Sequence, residues 1–97
     1  MIYVFVCKDK PDHLQVRLDN RPAHVAYLNE LNAAGTLKFA GPFLDDAGKP
    51  CGSLVAVEAA DIAAAKSLAE NDPYAKAGLF EQVDIRPWNW VFNNPSA

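Results

Sequence analysis

Four short apolar runs, separated in turn by a helical segment, a tight loop and a second helical segment, restrict this chain to a small set of folds. Met1 to Cys7, "MIYVFVC", is β-branched and aromatic throughout, as a buried strand is. A polar segment with Pro11 follows, and a short helical turn is predicted near His13 to Leu18. A longer helix is predicted over "RPAHVAYLNELNAAG", with Pro22 at the first helical position and Gly35 as the stop. "TLKFAGPFL" reads as a second strand ended by Gly41-Pro42, and "GSLVAVEA" as a third. Asp61 is a predicted N-cap for "IAAAKSLAEN", where Ile62, Ala65, Leu68 and Ala69 share one helical face. In "NDPYAKAG", Pro73 starts a single turn, Asp72 caps it and Gly78 releases the chain into the last strand, "LFEQVDIRPW".

Strand, helix, strand, strand, helix, strand is the order of a ferredoxin-like α+β sandwich, with two helices on one face of a four-stranded antiparallel sheet. Right-handed crossovers make the first and second strands parallel, with the third between them. A single domain over 1–97 is expected, closed by an aromatic tail over about 88–97. Following the strand directions, the second helix ends beside the start of the first, so Asp72 arrives near His24 from 48 positions away in sequence. Gly41, Pro42, Gly52, Ser53, Cys7 and Lys8 are expected at the same end.

His24 shares its helix stripe with Tyr27, Leu28 and Leu31, which places it in the first turn and partly buried. A partly buried imidazole needs a partner, and an aspartate in reach would fix its tautomer and prepare it for proton transfer. A structural histidine satisfied in the core, and a purely capping Asp72, are the competing readings. Ser53 lacks the Gly-x-Ser-x-Gly surroundings of a nucleophile, but its hydroxyl can donate to a bound anion or carbonyl. Arg21, one turn before His24, is placed to attract an anionic substrate or simply to be solvated. Gly41, Pro42 and Gly52 read as turn residues framing the hairpin, and Gly41, Pro42 and Tyr74 join the candidate substrate-binding set. His13 reads as a surface residue.

Composition excludes several classes. Apolar residues make up 51% and charged residues 22%, a globular and not a disordered balance. The net charge of −3 comes with no basic run, which argues against nucleic-acid binding. The two cysteines and two histidines show no metal-ligand spacing, so no metal and no cofactor are expected. The N-terminal apolar run is too short for a membrane span and lacks a basic flank, and a soluble cytoplasmic protein is expected.

Assembly follows from the first strand. Ile2, Val4 and Val6 point one way and Tyr3, Phe5 and Cys7 the other, yet two helices cover only one face. A second copy packed sheet to sheet would cover the other, giving a homodimer, with "RPWNWVF" reaching across the joint or folding on its own subunit.

In the order and spacing of "YVFVCKDKPD", "RLDNRPAHVAYL", "AGPFLDDAGKPCGSL" and "DPYAKAGLFEQVDIRPW", the chain resembles the YCII-related (YciI-like) domain family over nearly its whole length. The resemblance implies a ferredoxin-like dimeric α+β barrel with a His and Asp pair in a pocket, falling here on His24 and Asp72. It also implies proton transfer or elimination on a small cyclic or aromatic compound. A non-catalytic ligand-binding or accessory module is the alternative.

Overall fold

The computed structural model describes residues 1–95. The elements are β1 (Ile2–Asp9), α1 (Leu14–Ala33), β2 (Leu37–Leu44), β3 (Pro50–Glu58), α2 (Ile62–Glu70), the single turn α3 (Pro73–Lys76) and β4 (Phe80–Trp88). The sheet order is β2-β3-β1-β4, with β3 antiparallel to both neighbours, so β1 and β2 are parallel as expected. This is the ferredoxin-like α+β sandwich. No helix is long and apolar enough to cross a membrane.

Alternation along the strands decides what is covered. Tyr3, Phe5 and Cys7 of β1 lie beside Val57, Val55 and Ser53 of β3, and all six are buried beneath the helices. The five apolar ones form the core with Ala65 and Ala69 of α2, whose small side chains let α2 lie close to the sheet. Ile62, expected on the same stripe, is 42% exposed. The opposite face has no cover in the single chain: Val6, Phe43 and Trp88 are exposed. On that side the tail folds back on its own subunit, where Trp88 and Trp90 meet the Phe39 ring edge-on at 5.6 and 5.1 Å.

Four punctuation residues behave differently from their sequence reading. Pro22 does not open a helix; it lies inside α1, which runs unbroken from Leu14 to Ala33. A proline removes one helical N–H, but Pro22 is exposed and lies about 160° around the helix from His24, so the freed Leu18 carbonyl faces water. Nor do Gly41 and Pro42 end β2, which continues to Leu44. β2 is an edge strand, where a missing N–H on the outer side breaks no ladder bond. Gly52 is likewise a strand residue and not a turn. A Cβ there would lie 2.5 Å from the Cys7 carbonyl oxygen, so β1 and β3 approach too closely for any side chain. The expected roles of Gly35 and Gly78 hold, with φ of 76° and 74° where α1 stops and β4 is about to begin.

Candidate active site

A cavity of about 390 Å³ opens between α1 and the β2–β3 side of the sheet. Most of its wall is aliphatic, and its polar lining comes from Arg17, Arg21, His24, Asn29, Ser53 and Tyr74. No carboxylate reaches the wall. Of the residues singled out in the sequence, His24, Ser53, Arg21, Gly41, Pro42 and Tyr74 all line it, and Asp72 sits directly behind His24.

His24 is not in a first turn, as the sequence reading had it. It lies about three turns into α1, because that helix begins seven residues earlier than Arg21. Its side chain is buried against Asp72, with Nδ1 2.8 Å from Oδ1 and 3.0 Å from Oδ2. A carboxylate offers only acceptors, so Nδ1 carries the hydrogen and the neutral ring keeps its lone pair on Nε2. Among the described residues Nε2 has no hydrogen-bond partner, and no buried side-chain nitrogen or oxygen lacks one, so Nε2 must be accessible.

Asp72 is held in place by a second duty. Its Oδ1 accepts the Tyr74 N–H at 2.9 Å, capping α3, so capping and pairing with the imidazole coexist on one carboxylate. Tyr27 fixes the approach of the elements from the other side, its hydroxyl donating to the Leu68 carbonyl at 2.8 Å and tying α1 to α2. Tyr74 then stacks on His24, with centroids 3.9 Å apart and planes 15° from parallel. The Arg17 guanidinium carbon lies 4.6 Å from the same ring's centre. Since the imidazole already occupies one face, the guanidinium covers the other. Burial pushes the Tyr74 phenol upward, partly countered by Arg17 and Arg21, so it stays protonated in the neutral range.

Arg17 belongs to a second pair that the sequence reading did not assign to the site. Its Nε–H donates to Asp9 Oδ2 at 2.7 Å and Nη2–H to Asp9 Oδ1 at 2.8 Å, a fork on a fully engaged carboxylate at the end of β1. Nη2 also donates to Ser53 Oγ at 2.9 Å. Burial pulls the guanidinium pKa down, but the hydrogen bond and charge of Asp9 outweigh it and hold Arg17 above its ordinary value. The signal for Arg17 was present: residues 17, 21 and 24 share one stripe of a continuous helix. Breaking that helix at Pro22 concealed it. Asp9 had no local signal, because nothing in its own neighbourhood marks it as the partner of Arg17, eight residues on.

Cys7 is inert. Burial first, then the charge of Asp72, pushes its thiol from 9.0 to about 12, with Arg17 offsetting part of this. His13 is half-buried and tied to the Pro11 carbonyl at 2.8 Å, away from the cavity. Among the described residues no group of three or more His, Cys, Asp or Glu gathers as metal ligands do.

The sequence profile of the YCII-related domain matches residues 1–89. The chain belongs to that family. It is similar to the protein YciI of Escherichia coli O6:H1, 41% identical over 95% of this chain and 100% of that one. It is also similar to a derivative of benzaldehyde biosynthesis cluster protein C of Emericella nidulans, 35% identical over 77% of this chain and 81% of that one. Among solved structures, it resembles the 5-chloro-2-hydroxyhydroquinone dehydrochlorinase of Burkholderia phenoliruptrix AC1100 in complex with 2,5-dihydroxybenzoquinone. That likeness has a TM-score of 0.85 and 37% identity, over 97% of this chain and 99% of the other.

Proposed function

We infer that this YCII-family protein is an enzyme whose acid/base group is His24, acting without a cofactor on a small cyclic or aromatic compound by proton transfer or elimination. The observation that carries the reading is the accessible Nε2 of an imidazole buried and oriented by Asp72 at the wall of a 390 Å³ cavity. That volume accommodates a single substituted ring. Nε2 takes a proton from the substrate, the electron pair enters the ring, and an anionic leaving group departs or the proton returns at another atom. Asp72 stabilises the imidazolium formed in between. Arg21, exposed and without an ion-pair partner among the described residues, draws an anionic substrate to the mouth. Ser53 and the backbone near Gly41 and Pro42 hold its oxygens, and Tyr74 sets the plane of the imidazole. The relationship to a dehydrochlorinase acting on a hydroquinone supports the same reaction class.

The uncovered apolar face supports a homodimer packed sheet to sheet. At micromolar concentration light scattering should return twice the chain mass of 10.6 kDa.

The test uses His24→Gln, whose amide still donates to Asp72 but supplies no base. With 5-chloro-2-hydroxyhydroquinone as the probe, chloride release by the wild-type protein should fall about a thousandfold in the variant while circular dichroism stays unchanged. Unaltered chloride release in a folded variant would overturn the assignment of His24 as the acid/base group and leave its pairing with Asp72 as a structural hydrogen bond. A wild-type protein that binds the probe without releasing chloride would leave a binding or accessory module as the reading.

A further inference from the structure

Ser53 is 4% exposed, yet its hydroxyl hydrogen has no acceptor among the described residues. Its Oγ is occupied as an acceptor by Nη2 of Arg17 at 2.9 Å. That nitrogen carries two hydrogens, and the other is committed to Asp9 Oδ1 at 2.8 Å, while Nε–H holds Oδ2 at 2.7 Å. The fork on Asp9 fixes the plane of the guanidinium, and the Tyr74 ring closes one face of it at 4.6 Å. Arg17 therefore cannot turn away from Ser53, nor can Ser53 use Arg17 as an acceptor, because a guanidinium has none. The O–H must point elsewhere, and Ser53 lines the cavity. Donating a hydrogen bond to Oγ also polarises the O–H and strengthens it as a donor to a negative atom.

We propose that Asp9 and Arg17 are positioning residues that aim the Ser53 hydroxyl into the cavity as a donor, so that the site selects ligands with an anionic ring oxygen, a phenolate or an enolate. This rests on the cavity being a ligand site. It adds a direction to that reading: the ligand oxygen at Ser53 accepts, whereas the group facing His24 Nε2 gives up a proton. Arg21 and Arg17 then have separate tasks, since Arg21 supplies attraction at the mouth and Arg17 acts through Ser53.

The probe is 2,5-dihydroxybenzoquinone, a vinylogous acid that is ionised at neutral pH and absorbs visible light. Its dimethyl ether serves as the control without an anionic oxygen. Wild-type protein should bind the anion at least about tenfold more tightly than the ether, with a shifted visible band. Ser53→Ala and Asp9→Asn should each weaken the anion about tenfold, leave the ether within about twofold, and return the band toward that of the free dye. Arg21→Gln should weaken the anion without moving the band. Should Asp9→Asn fail to fold, Arg17→Lys replaces it, because an ammonium cannot bridge Asp9 and Ser53 with the same fork. Unchanged affinity and band in Ser53→Ala, with wild-type binding intact, overturns the assignment and leaves the cavity reading standing. No binding of either dye by the wild-type protein overturns both.

Discussion

Two aspartate-anchored basic side chains stand on opposite faces of Tyr74, about two turns apart on α1, and differ in one property. Asp9–Arg17 is a buried pair whose charge is permanent, because Asp9 holds the guanidinium above its already high ordinary value. Asp72–His24 is buried to nearly the same degree, but its imidazole, bonded to the carboxylate through Nδ1, keeps a lone pair on an accessible nitrogen. A carboxylate beneath a nitrogen base thus holds a permanent charge in one place and leaves an accessible lone pair in the other. Mutation should separate them along that line, with loss of turnover on the His24 side and loss of stability or aim on the Arg17 side.

The largest separation is expected from His24→Gln set against Asp9→Ala. The first should lower chloride release from the hydroquinone probe about a thousandfold with its urea midpoint nearly unchanged. The second leaves a buried guanidinium without its carboxylate and should cost about 3–5 kcal/mol of stability, read from urea unfolding. If both variants lose only stability, the two pairs are not functionally distinct. Next is Asp72→Asn against Asp72→Ala. Asparagine still caps α3 but can turn its amide N–H₂ toward the ring, so turnover should fall about a hundredfold with stability kept. Alanine should additionally cost about 1 kcal/mol for the lost cap. Nitrogen NMR of His24 sharpens this pair: the wild-type ring should be the Nδ1–H tautomer and Asp72→Asn a mixture. A wild-type Nε2–H ring would break the assignment.

Cys7, beneath both pairs, gives a smaller effect. Its thiol holds its proton more tightly in the folded chain than in the unfolded one, so unfolding favours proton release. Stability is therefore flat below about pH 9 on this account and falls as pH rises toward about 12. Cys7→Ser should flatten that alkaline decline. The smallest effect is in labelling. At pH 8 a thiol reagent should modify one cysteine per folded chain, the exposed Cys51, and two when unfolded. Rapid labelling of Cys7 in the folded chain would contradict its burial.

Much of the fold was legible because strand and helix periods differ sharply and crossover handedness leaves few topologies. The meeting of His24 and Asp72 followed from strand direction alone, without any side-chain detail. What stayed illegible turned on tertiary context. Pro22 and the Gly41-Pro42 pair look like breaks locally, but a proline on the wet side of a helix or the outer edge of a sheet costs little, and only the fold reveals which side is wet. The error at Pro22 had a direct functional price in interpretation, since it separated Arg17 from the stripe that carries Arg21 and His24. Asp9 could not have been found without knowing how α1 turns back over the end of β1.

Gly52 carries a consequence for how members of such a family can diverge. Its missing side chain lets β3 lie against the Cys7 carbonyl one residue before Ser53, with the Phe43 ring 3.3 Å from the vacant Cβ position on the bare face. Aliphatic wall positions such as Leu18, Val25 and Leu54 are free to drift and reshape the cavity. Position 52 has no such latitude: even alanine would push the strands apart, swing Ser53 off Arg17 and disturb the face a second copy would use. A lineage can reshape the cavity while keeping this glycine, but it cannot lose the glycine and keep Ser53 on Arg17.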